Sequence, residues 1–178
     1  MHHAVMLEQD TLATDDLDLT ALVASFDRYT RFGATEASQM AERIGDADCV
    51  IINKLPVSAE LLQALPNLKL ICVVATGVNN IDVAAAKTHG VGVVNCRAYG
   101  TAAVSQHVLS LMLALCTQLL PYTNAVNAGR WQSARHFCFL DYPIVELAGK
   151  TLLIVGYGEL GSAVGRLATA FGMNVEIA

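Results

Sequence analysis

Three glycines near the end of the sequence, Gly156, Gly158 and Gly161, stand in the spacing G-x-G-x-x-G. Before them, Leu152–Val155 reads as a buried strand. After them, Leu160, Val164, Leu167 and Ala168 fall on one side of a helix, and Asn174–Ile177 begins another strand. In that context each glycine has its own task. The first makes the tight strand-to-helix turn, the second lets backbone reach a pyrophosphate, and the third lets the helix approach the sheet. The unpaired N–H groups of the first helical turn, with Glu159 and Leu160 among them, then hold the anion together with the helix dipole. The chemistry is dinucleotide binding; the competing reading is a plain glycine-rich turn in a chain with 13 glycines. A ribose partner is expected about 20 residues after the first glycine. Glu176 meets that count but lies inside the strand, not at its carboxyl end, which argues against it.

Other chemistry-bearing residues form no pattern. His2, His3, His89 and His136 have no metal-ligand spacing, and His107, within a long apolar helix, is expected to pack or cap. The pair Asp15–Asp16 reads as a solvated loop. The five cysteines Cys49, Cys72, Cys96, Cys116 and Cys138 lie far apart without a C-x-x-C, as buried reduced thiols of a cytoplasmic protein would.

The elements that position the glycines follow from periodicity. Short apolar runs at Ala4–Leu7, Cys49–Ile52, Leu68–Ala75 and Val91–Asn95, with a weaker one at Tyr29–Phe32, read as strands. Helices are expected over Asp18–Ser25, over Thr35–Ile44 and from a Ser58 cap through Leu65. Another is expected from Asn80 or Asp82 through Thr88, with Gly90 at its end. Alternation at this spacing predicts parallel βαβ units with helices on both faces. Residues 1–98 read as one flavodoxin-like layer and residues 99–178 as the start of a Rossmann unit, so the fold class is α/β. Thr101–Leu120 reads as one long buried helix with Pro121 just beyond it. Tyr122–Pro143, rich in aromatics, shows no period.

Composition narrows the function. The chain has 178 residues, 54% hydrophobic and 15% charged, with a net charge of −5 and a mean hydropathy of +0.45. That excludes disorder. With no Lys/Arg run, neither nucleic acid nor an anionic membrane surface is an expected partner. Val108–Leu120 is too short and too interrupted to span a bilayer, and no signal peptide is read.

Several segments are familiar together. Ala75-Thr76-Gly77-Val78-Asn79-Asn80-Ile81-Asp82, Asn95-Cys96-Arg97-Ala98-Tyr99-Gly100-Thr101, Val104-Ser105-Gln106-His107 and Glu146–Leu152 running into the glycines resemble the D-isomer-specific 2-hydroxyacid dehydrogenases. Within them, Tyr99-Gly100-Thr101 and Phe137–Asp141 are similar to the glycerate dehydrogenase and hydroxypyruvate reductase branch. The resemblance implies a substrate-binding domain followed by an NAD(P)-binding one. It implies NAD or NADP as cofactor, a small 2-oxo or 2-hydroxy acid as substrate, and a homodimer built on Thr101–Leu120 and the aromatic segment. The Thr76, Gly77 and Val78 loop, at the carboxyl end of a parallel strand, would hold the substrate carboxylate through its N–H groups; otherwise it is a plain turn. Lys54 would edge the same cleft or be an ordinary solvated lysine. Thr101 would bond cofactor, cap its helix, or do both.

The family's catalytic Arg, Glu and His would lie later in the chain, so no residue of 1–178 receives those roles. The 178-residue polypeptide is therefore expected to lack dehydrogenase activity. The same family includes non-catalytic NAD(H)-sensing corepressors, the alternative function.

Overall fold

The computed structural model describes residues 2–12 and 17–178; the pair Asp15–Asp16 lies outside them. The chain divides into two units, Met1–Arg97 and Ala98–Ala178.

The first unit is a five-stranded sheet. Its strands are β1 (His3–Met6), β2 (Arg28–Arg31), β3 (Cys49–Ile52), β4 (Leu70–Val73) and β5 (Gly92–Asn95). All neighbours pair in parallel, in the order β2-β1-β3-β4-β5. That is the flavodoxin-like doubly wound order, with its switch point between β1 and β3. The period of two sorts the side chains onto two faces. Val5, Leu7, Val50, Ile52, Ile71 and Val73 face one core, under α2 (Met40–Ile44), α3 (Ala59–Gln63) and α4 (Val83–Thr88). Ala4, Met6, Cys49 and Ile51 face the other, with Leu22 of α1 (Thr20–Ala24) and Phe26. Burial on both sides is why these strands read as unbroken apolar runs.

Local signals set the helix ends. The Ser58 hydroxyl accepts from the Leu61 N–H at 3.3 Å, and the Asp82 carboxylate accepts from the Ala85 N–H at 2.9 Å. Gly90, at φ +70°, follows α4 in the left-handed conformation. The expected helix over Thr35–Ile44 is shorter: a 3₁₀ turn at Ala37–Gln39 precedes α2.

The second unit contains α5 (Thr101–Cys116), α6 (Leu119–Asn127), β6 (Thr151–Ile154), α7 (Glu159–Ala170) and β7 (Asn174–Ile177). β6 and β7 pair in parallel through the α7 crossover. The continuous helix expected over Thr101–Leu120 is broken. Gln118 takes φ +53°, and α5 and α6 are bent by 60°. Pro121 acts backwards: its ring excludes a helical carbonyl four residues earlier, at Thr117, and it offers that carbonyl no N–H. Pro121 is instead accommodated in the first turn of α6, where N–H groups have no helical acceptor. No single helix is long and apolar enough to cross a membrane among the described residues, although α5 and α6 together have the required length and composition.

The aromatic segment packs on itself. Tyr122 lies 5.2 Å from Phe139 and 5.1 Å from Tyr142, ring centre to ring centre. The Tyr122 hydroxyl donates to the Tyr142 carbonyl at 2.8 Å. Arg130 pairs with both carboxylate oxygens of Asp141, at 2.7 and 2.9 Å, which holds that carboxyl below its usual range.

Two other expectations change. Cys96, just beyond edge strand β5, is exposed, and only Cys49 is buried. Its thiol meets that of Cys72 at 3.8 Å, and this contact with burial pushes it up. On α7, Leu160 and Leu167 are 47% and 37% exposed, whereas Ala163 and Ala168 are buried, because small residues let the helix lie close.

Ile52, fully buried in a central strand, should lose about 2–5 kcal/mol of stability on replacement by alanine. Val94 in β5, half exposed, should lose under about 0.5 kcal/mol. Urea denaturation followed by circular dichroism compares the two.

Candidate functional site

Strand ends in both units present unpaired N–H groups. In the second unit the turn from β6 to α7 carries Gly156, Gly158, Glu159, Leu160 and Gly161. Gly156 has φ +85°, which an L side chain resists. A Cβ on Gly161 would stand 2.2 Å from the Gly156 carbonyl oxygen, so helix and turn meet only because this residue has none. A Cβ on Gly158 would meet nothing within 4 Å. Open space therefore lies beside the turn's backbone. Among the described residues the N–H groups of Gly158, Glu159, Leu160 and Gly161 find no acceptor. They are the orphan donors of a helix start, the kind of group to which anions bind.

Thr101 reaches the same turn from α5. Its hydroxyl donates to the Glu159 carboxylate. The helix is not capped by Thr101: Gly100 precedes it as N-cap and Thr101 is already the first helical residue. Two helix starts thus meet through one hydrogen bond. Glu176 pairs with Leu153 inside β7 and is exposed, short of the strand's carboxyl end. His107 is exposed on α5 without a hydrogen-bond partner among the described residues, so it neither packs nor caps.

In the first unit, Thr76, Gly77 and Val78 follow β4. The N–H groups of all three lack an acceptor among the described residues. The Asn95 side-chain amide donates to the Thr76 carbonyl at 2.6 Å and fixes the turn from one side. Gly77 keeps an ordinary backbone conformation, and a Cβ there would come 3.0 Å from the Asn79 side chain. Lys54 follows the neighbouring strand β3 at the same edge, exposed and without an ion pair among the described residues. The chain thus brings Lys54 and the Thr76–Val78 amides to adjoining strand ends. Thr101 and the glycine turn come together separately, in the second unit.

One residue escapes sequence reasoning. Glu8, 8% exposed, follows β1, and one of its carboxylate oxygens accepts from the N–H groups of Asn53, Lys54 and Leu55 at 2.7, 2.9 and 3.1 Å. An acid directly after an apolar strand is its only signal.

The family model described as "D-isomer specific 2-hydroxyacid dehydrogenase, catalytic domain" matches residues 8–174. The chain is 43% identical over 166 residues to a glycerate dehydrogenase of Methylorubrum extorquens, covering 92% of this chain and 53% of that protein. It is 40% identical over 173 residues to a hydroxypyruvate reductase of Blautia hydrogenotrophica, covering 96% and 54%. It therefore spans about half the length of these curated relatives. An acyclic imino acid reductase solved with NADPH and D-Arg shares the fold, with a TM-score of 0.80 at 22% identity over 96% of this chain and 54% of that one.

The glycines separate structure from binding. Gly161→Ala should cost about 1–3 kcal/mol through overpacking against the Gly156 carbonyl. Gly158→Ala, facing open space, should leave stability within about 1 kcal/mol. Thermal unfolding of both variants checks this. The glycine turn, the unpaired amides after β4 and the match over residues 8–174 place the chain in the D-isomer-specific 2-hydroxyacid dehydrogenase family.

Proposed function

We propose that the protein is an NAD(P)-dependent oxidoreductase of small D-2-hydroxy acids, with hydroxypyruvate or glyoxylate as the oxo acid. The observation that carries this reading is the pair of unfilled amide groups. One stands on the glycine turn, suited to a pyrophosphate, and the other on Thr76–Val78, suited to a carboxylate. Similarity to glycerate dehydrogenase and hydroxypyruvate reductase supports the substrate class.

When bound, the nicotinamide supplies or accepts the hydride at the substrate C2. The chain's own groups bind and orient. The N–H groups of Gly158, Glu159 and Leu160 would hold the pyrophosphate, helped by the start of α7. Thr101 would turn its hydroxyl from Glu159 to a phosphate oxygen. The Thr76, Gly77 and Val78 amides would fix the acid's carboxylate, with the Lys54 ammonium at the rim adding charge. Fixing the carboxylate fixes the C2 carbonyl beside it, and such orientation supplies much of a rate enhancement.

The exposed apolar set on the second unit supports a homodimer. Leu115, Leu120, Phe137 and Leu140 are 72, 69, 90 and 84% exposed, more than a lone chain ordinarily leaves to water. Sedimentation should find a dimer; a monomer at all concentrations would exclude it.

Calorimetric titration with NADH and NADPH tests the cofactor site. Gly158→Val should weaken binding at least about tenfold, roughly 1.4 kcal/mol, because its side chain fills the space before the amides. Gly77→Val should weaken the oxo acid while leaving dinucleotide affinity unchanged. Unaltered dinucleotide affinity in Gly158→Val would sink the assignment.

A further inference from the structure

The sheet order reverses between β1 and β3, and open α/β sheets take their ligands at such a reversal, beyond the carboxyl ends of the strands. Here that position is filled from within. Glu8 leaves β1 and lays its carboxylate on three consecutive amides after β3, those of Asn53, Lys54 and Leu55. One oxygen accepts all three. The next turn along the sheet, Thr76–Val78 after β4, has three consecutive amides with no acceptor among the described residues. Two adjoining strand ends thus offer similar donors, one set used by the chain and one left open.

The Glu8 turn is pinned on its other side as well. The Asn53 side-chain amide donates to the Thr11 hydroxyl at 3.0 Å. The Leu55 carbonyl accepts from the Asn80 side chain at 2.8 Å, and the Val57 N–H donates to the Asn80 carbonyl at 2.8 Å. Asn80 belongs to the segment that continues from Thr76–Val78. The carboxyl-end turns of β3 and β4 therefore form one hydrogen-bonded rim. In that rim the Lys54 side chain is exposed and unpaired, while its backbone N–H is held by Glu8. Hydrogen bonds to an ionised carboxylate are roughly twice as strong as neutral ones, so the charge on Glu8 decides how firmly Lys54 is placed.

We propose that Glu8 is a positioning residue for the substrate site: by filling the amides at the β1/β3 reversal it moves ligand binding to the β3/β4 edge and fixes Lys54 there. The proposal rests on the reading of Thr76–Val78 as the carboxylate site. It requires Glu8 to act through Lys54, which a merely structural role would not.

A double-mutant cycle on the chain decides this, with oxamate, an unreactive 2-oxo acid analogue, as probe and amide-resolved NMR as readout. In the unaltered chain oxamate should shift the Thr76–Val78 amides. Lys54→Met should weaken it about tenfold and Glu8→Gln about three- to tenfold, while the double variant should match Lys54→Met alone. Glu8→Asp, which keeps the charge, should recover part of the loss. Additive effects of Glu8→Gln and Lys54→Met would overturn the proposal and leave the carboxylate site standing, as would unchanged affinity in Glu8→Gln. Oxamate shifts absent from Thr76–Val78 in the unaltered chain would overturn the carboxylate site and the proposal together. Thermal unfolding of each variant identifies any that fails to fold. In that event Glu8→Asp and Lys54→Met complete the comparison.

Discussion

A parallel strand that ends in a turn leaves backbone N–H groups that the sheet cannot use, and this chain is organised around where those groups find acceptors. Buried donors without partners are costly, so the N–H groups at a strand end are either filled by the chain or left at an exposed turn. After β3 the acceptor is the Glu8 carboxylate, brought over from β1. After β4 and after β6 the donors stay open. Both open sets lie on turns containing glycine, where backbone rather than side chain forms the surface.

Packing makes these edges rigid. In the first unit the central strands β1 and β3 are buried on both faces, and the register that brings Ile52 opposite Val73 also brings the turns after β3 and β4 side by side. In the second unit Gly161 admits no side chain against the Gly156 carbonyl, and that close approach aims the start of α7 at the space beside Gly158.

What the sequence shows depends on distance along the chain. The glycine turn and the Ser58 cap were legible because their partners lie within a few residues; the start of α4 was narrowed to Asn80 or Asp82, and Asp82 caps it. The parallel order followed from alternating elements. Glu8 was not legible: its partners come 45 to 47 residues later, and an acid after a strand ordinarily reads as solvated. The Thr101–Glu159 contact, 58 residues apart, was hidden for the same reason, so Thr101 read as a cofactor ligand, a cap or both. The break before α6 was misplaced because a proline acts on the carbonyl four residues before it, and the apolar run continues unaltered through the bend. On α7 the apolar stripe Leu160, Val164, Leu167 and Ala168 named the buried side only in part: Ala168 is buried, Leu160 and Leu167 are exposed, and Ala163, outside the stripe, is buried as well.

The function proposed for the second unit rests on the unfilled amides of the glycine turn taking a dinucleotide. Amide-resolved NMR of the chain titrated with NADH tests it most directly. Saturable shifts are expected at Gly158, Glu159, Leu160 and the first turn of α5 around Thr101, with the amides of Asn53–Leu55, whose donors Glu8 already occupies, unmoved. NADH shifts confined to other residues, or none at concentrations that saturate related dehydrogenases, would contradict it.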